Sequence, residues 1–68
     1  MEEYVVTIKS HEDNAYNREF DPITSLRMAQ KVENGLNINL NHDKFYTMIK
    51  VFKEGKLIKE LEREYRNL

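Results

Sequence analysis

Phe45-Tyr46-Thr47-Met48-Ile49-Lys50-Val51-Phe52, followed by Lys53-Glu54-Gly55-Lys56, decides the fold. The first eight residues are mostly β-branched, aromatic or long apolar, and predict a strand. The next four predict a tight reversal in which Gly55 takes the left-handed position of a type I turn with a G1 bulge. Leu57-Ile58-Lys59-Glu60-Leu61 then returns as the antiparallel partner. Leu57, Leu61, Tyr65 and Leu68 also recur at helical spacing, so a short C-terminal helix is the competing reading of the tail.

Alternation sorts the strand into two faces. Phe45, Thr47, Ile49 and Val51 lie on one, and Tyr46, Met48, Lys50 and Phe52 on the other. Both faces are largely apolar, whereas a strand covered on one side alone should alternate apolar and polar. One helix cannot cover both sides of a sheet. The second face therefore expects cover from the C-terminal tail, from an Asn-rich connection, from a second copy or from a partner protein. Tyr46, Met48, Lys50 and Phe52 are the candidate partner-binding residues.

Working towards the N-terminus, Asn37, Asn39 and Asn41 alternate with Leu36, Ile38 and Leu40, which reads as an extended connection. Before it, Asp21 is placed to cap a helix with Pro22 at its first position and Phe20 as the start of a hydrophobic staple. Leu26, Met28, Ala29, Val32 and Leu36 fall within an arc of roughly 160° on a helical wheel. Asn34-Gly35 offers a C-cap. The expected helix is Asp21 to Asn34, with Leu26, Ala29 and Val32 facing the sheet. Glu3 to Lys9 predicts a first strand, and Tyr16 to Phe20 a second one returning after the polar turn at 10–14.

The resulting expectation is a single α+β domain over residues 1–68: a four-stranded antiparallel sheet in ββαββ order, with one amphipathic helix on one face. A chain of this length buries only about 60% of its unfolded surface, so its margin is thin. There is no cysteine, hence no disulfide or thiolate metal cage, which favours a reducing, cytoplasmic setting. The longest apolar runs, such as Tyr4-Val5-Val6, fall far short of the roughly 20 residues of a membrane span. Met1-Glu2-Glu3 is acidic where a signal peptide is basic.

Catalytic and cofactor chemistry finds little support. Ser10 and Ser25 lack a nucleophile-elbow context, and the two glycines, Gly35 and Gly55, are too far apart to cradle a phosphate. His11-Glu12-Asp13 and His42-Asp43 contain metal-ligand types without metal-ligand spacing, and read as solvated turns. No enzyme activity, cofactor or metal is expected.

Charge is uneven. Residues 1–43 carry four Lys/Arg against eight Asp/Glu, while 44–68 carry seven against four. Lys44, Lys50, Lys53, Lys56 and Lys59, interleaved with Phe45, Tyr46 and Phe52, suit single-stranded nucleic acid through charge and stacking. The opposing reading has lysines guarding a sheet edge while the aromatics fill the core. On balance the sequence points to a small accessory or regulatory protein that binds another protein or itself as a homodimer. Nucleic-acid binding through the basic hairpin is the alternative. The Asn-, Lys-, Glu- and Ile-rich composition is of a kind common in low-GC bacteria and their phages, an analogy only.

Overall fold

The computed structural model describes residues 1–62 and has the expected α+β architecture: β1 (Glu2–Ser10), β2 (Asn17–Glu19), α1 (Leu26–Asn39), β3 (Phe45–Lys53) and β4 (Lys56–Glu62). The sheet is antiparallel throughout, in the order β2-β1-β3-β4. The two long apolar strands, β1 and β3, pair in the middle over their full length, from Glu2 opposite Lys53 to Ser10 opposite Phe45. Tyr65 and Leu68, which carried the helical reading of the tail, lie outside the described residues. Up to Glu62 the chain is strand.

The β3–β4 reversal is tighter than expected. Lys53 pairs directly with Lys56, leaving a two-residue loop in which Glu54 (φ 52°) and Gly55 (φ 82°) are both left-handed. Two positive φ angles in a two-residue loop define a type I′ turn, whose twist matches that of the flanking strands. The bulge predicted for the turn occurs further along. Phe52 faces Leu57 while Val51 faces Lys59, so Ile58 is an extra residue in β4. That insertion changes the phase of the strand. Leu57 joins Phe52 on one side of the sheet, and Leu61 joins Ile49 on the other.

Asp21 and Pro22 do not start the helix. The chain leaving β2 stays beside β1: Phe20 N–H donates to Val6 O, and Tyr4 and Ile23 exchange both backbone hydrogen bonds (2.7 and 2.9 Å). Thr7 pairs with Glu19 but Tyr4 with Ile23, so one extra residue is absorbed at Asp21-Pro22. Proline lacks the N–H a ladder needs and biases the preceding residue towards extended backbone, so the pair suits a bulge better than a helix start. The helix begins instead after Ser25, whose extended backbone (φ −121°, ψ 123°) and Oγ, accepting from Met28 N–H at 3.3 Å, make it the N-cap.

The later start is matched by a later end. The helix runs through Gly35 to Asn39, so Leu36 to Asn39 belongs to its last turn and not to an extended connection. Its buried stripe is Ala29, Glu33 and Asn37, flanked by half-buried Leu26 and Leu36. Val32, expected to face the sheet, is 37% exposed, and Met28 52%. Polar Glu33 and Asn37 therefore hold positions that apolar periodicity assigned to Val32 and Met28.

The core lies between α1 and the facing side of β1 and β3. Val6, Ala29 and Ile49 form its centre, with Tyr4, Phe20, Ile23, Leu26, Leu36 and Leu61 packed around them. Ala29 is fully buried, which allows the helix axis to approach the sheet closely.

Candidate functional site

The register places Val5, Thr7 and Lys9 of β1 beside Lys50, Met48 and Tyr46 of β3 on the side away from α1, with Glu3 opposite Phe52. This helix-free face holds all four candidate partner-binding residues, and they differ in access. Met48 is 4% exposed, while Tyr46, Lys50 and Phe52 are half-buried. Thr7 and Val5 beside them are buried as well. Part of the cover is local. Lys50 sits opposite Val5, Glu19 sits opposite Thr7, and Lys50 Nζ meets Glu19 Oε2 at 2.8 Å. The ion pair therefore crosses β1 between Val5 and Thr7 and shields both. Lys50 and the Asn17 amide, which donates to the same Glu19 oxygen, hold the Glu19 carboxyl below its ordinary pKa.

The two ends of this face are built differently. At the start of β3, the His11 ring lies 4.8 Å from the Tyr46 ring, and His11 N–H donates to Lys44 O, closing the end of the sheet. On the opposite side of the same strand end, Tyr16 packs on Phe45, centroids 5.2 Å apart. At the hairpin end, Phe52 pairs with Leu57, 49% exposed, and the next residue of β4 is the bulged Ile58, 48% exposed. Here apolar surface stays in water although the chain has only seven buried apolar residues among those described. Alternation along β3 did not point to Leu57 and Ile58. Their signal is an adjacent Leu-Ile pair in a strand where alternation can bury only one of the two.

The five lysines of the nucleic-acid reading do not form one stripe. Lys44 precedes β3, whereas Lys53 and Lys56 flank the turn at the far end of a nine-residue strand, about 30 Å away. Lys50 is paired with Glu19, and Lys59 faces Val51 on the helix side of the sheet. A continuous backbone-tracking groove needs its cations on one surface, and this arrangement spreads them over two.

A polar cluster lies between α1 and β3. Thr47 Oγ1 donates to Glu33 Oε2 (2.9 Å), and Asn37 Nδ2 donates to both Thr47 Oγ1 (2.9 Å) and Glu33 O (2.7 Å). All three residues are buried. His42 Nε2 lies 3.0 Å from Asn37 O, where it can satisfy a carbonyl of the last helical turn. These contacts fix the rotation of the C-terminal half of α1 over the sheet and explain why Glu33 and Asn37 take the inward positions. Neither histidine joins the other acidic loop residues in a ligand set: among the described residues, no group of three or more His, Asp or Glu is placed to hold a metal ion. In the same residues no helix is long and apolar enough to cross a membrane. No protein-family model, curated protein or solved structure matches the chain.

Proposed function

We propose that the protein is a small, non-enzymatic accessory or regulatory protein, working in the cytoplasm, that acts by binding another protein. Its contact surface is the hairpin end of the sheet: Phe52 and Leu57 on the helix-free face with the bulged Ile58 next in the strand, continued along β3 by Lys50 and Tyr46. The single observation that carries the reading is the half exposure of Leu57 and Ile58 next to Phe52. Apolar side chains left in water around an aromatic one and rimmed by charge mark an interaction surface. Met48 supports this surface from beneath, since it is itself buried.

The test compares partners retained by the wild-type chain with those retained by Leu57→Ser/Ile58→Ser, both tagged and isolated from the native cell. Proteins held by the wild type in high salt and lost by the variant, with the variant still folded, support the reading. Retention of the same proteins by both rejects it. Capture of nucleic acid that disappears steeply with added salt would favour the basic-hairpin alternative instead.

A further inference from the structure

We infer that the hairpin end has a basic side, which receives an acidic segment of the partner protein. On the helix side of the sheet Lys53, Lys56 and Lys59 meet its carboxylates, while Phe52 and Leu57 meet apolar groups on the other side. This deepens the reading of the hairpin end as a contact surface and rests on it. The register sorts the charges of the hairpin by face. Lys53 shares the side of Val51 and Ile49, which α1 covers. Lys56 sits directly opposite Lys53, and Lys59 opposite Val51, so all three lie on that side. Glu60 and Glu62, opposite Lys50 and Met48, take the helix-free side. Three exposed cations thus stand together, with the acids of the same strand turned away from them.

The chain does not neutralise them itself. Among the described residues the one ion pair is Lys50 with Glu19, and none of the three lysines takes part in another. Glu2 faces Lys53 from β1, but its Oε1 accepts from the Tyr4 hydroxyl at 2.9 Å. Glu54 stands in the turn between Lys53 and Lys56 without pairing with either. The first turn of α1 contains no acidic residue. Like charges directly opposite each other across a sheet destabilise it. Lysines on an outer strand commonly repel stray strands, which accounts for Lys56 and Lys59. It does not account for Lys53, which lies on the inner strand β3, guards no edge and repels its cross-strand neighbour. An acidic partner turns that repulsion into attraction at all three positions.

Spacing and surroundings select a protein segment. Lys56 and Lys59 lie two ladder positions apart, about 7 Å, and alternate carboxylates of an extended acidic segment recur at that interval. A single-stranded nucleic acid fits less well. It needs an exposed aromatic ring beside the cations for stacking, and the ring on this side, Tyr4, is packed against the core. Glu2 beside Lys53 and the net charge of −1 also oppose a long polyanion.

The probe is deca-glutamate, titrated at low salt into the isotope-labelled full chain and followed through its amide shifts. In the unsubstituted chain the shifts should concentrate in residues 53–59, a readout that needs no variant to fold. Lys53→Gln, Lys56→Gln and Lys59→Gln, each checked for native circular dichroism, should weaken binding about two- to fivefold, one exposed ion pair apiece. Lys44→Gln, at the far end of β3, should leave it unchanged. No saturable binding, shifts centred elsewhere, or equal weakening by Lys44→Gln would overturn the inference. So would tighter binding, through the same lysines, of oligothymidylate of equal charge or of phosphatidylserine vesicles. Isolated from the native cell, Lys53→Gln/Lys56→Gln/Lys59→Gln should retain less of the wild type's partners at low salt and equal amounts at high salt. If it retains them equally at every salt concentration while Leu57→Ser/Ile58→Ser loses them, the basic side falls and the contact surface stands. If both variants keep every partner, both fall.

Discussion

Lys50 Nζ lies 2.8 Å from Glu19 Oε2 and ties β3 to β2 across the intervening β1. The lysine side chain is 13% exposed and the glutamate 42%, so one end is sheltered and the other solvated. Such a pair contributes on the order of 0.2–1 kcal/mol. A double-mutant cycle with Glu19→Gln and Lys50→Met should return a coupling in that range, shrinking as salt is raised. The pH dependence has a definite sign. Glu19 is held below its ordinary value of 4.5, so its contribution is present above that value and lost as pH falls through the lower folded value. Glu19→Gln should flatten the stability curve in that acidic window. A curve there identical to wild type would show that the pair is not formed in solution.

The turn makes a prediction that a one-glycine reading would miss. Glu54 and Gly55 both have positive φ, so the strain of a Cβ already exists at Glu54. Glu54→Asn should stabilise the protein by a few tenths of a kcal/mol to about 1 kcal/mol, because Asn-Gly is the preferred type I′ pair. Gly55→Ala should cost about 1–2 kcal/mol through backbone strain alone, since no atom lies within 4 Å of the added Cβ. Urea denaturation of the two variants decides the point. A destabilising Glu54→Asn would reject the type I′ geometry.

In the helix, Gly35 occupies an interior position with open space where a Cβ would stand. Gly35→Ala should raise stability by about 0.5–1 kcal/mol. Ala29, fully buried against the sheet, should behave oppositely, with Ala29→Leu overpacking the contact by about 1–3 kcal/mol. Val32→Asp should be mild for a residue on the outer flank. Thermal melts of these three variants and of Ala29→Asp test the helix phase, and an unfolding effect of Val32→Asp equal to that of Ala29→Asp would contradict it.

How far the residues announced this arrangement depends on what each signal encodes. Alternation in β3 is set by burial, which dominates strand energetics, and it grouped Ile49 and Val51 on one face, the face that the helix covers, whereas which face of β1 the helix covers became clear only from its pairing with β3. The helix was harder. Asp21-Pro22 satisfies the local grammar of a helix start, but the free backbone groups of Tyr4 compete for the same segment and win. Glu33 and Asn37 look like solvent-facing residues because their burial depends on a non-local partner, Thr47, on another element. The bulge at Ile58 likewise arises from pairing with β3 and has no local marker such as glycine. For the candidate surface, the two-sided apolar character of β3 was legible, whereas which residues on it remain accessible required neighbouring strands.

Met48 and the hairpin-end pair Leu57-Ile58, of which Leu57 shares its side of the sheet, separate core from contact surface. Met48 is buried between neighbouring strands on the helix-free face, although α1 packs on the other side. Met48→Ala should therefore cost core-like energy, about 2–5 kcal/mol. Leu57 and Ile58 are only half covered, so Leu57→Ser/Ile58→Ser should cost much less stability while removing apolar contact area from the hairpin end. Phe52 touches both regimes, half-buried and opposite Leu57, and Phe52→Ala should lower stability and association together. The comparison is made by plotting the change in unfolding free energy against the change in association for the three variants. A contact surface requires the Leu57/Ile58 variant to lie far off the line through Met48→Ala, with association lost at nearly unchanged stability. If all three fall on one line, association follows the folded fraction alone and the hairpin end is merely the thin margin of the core.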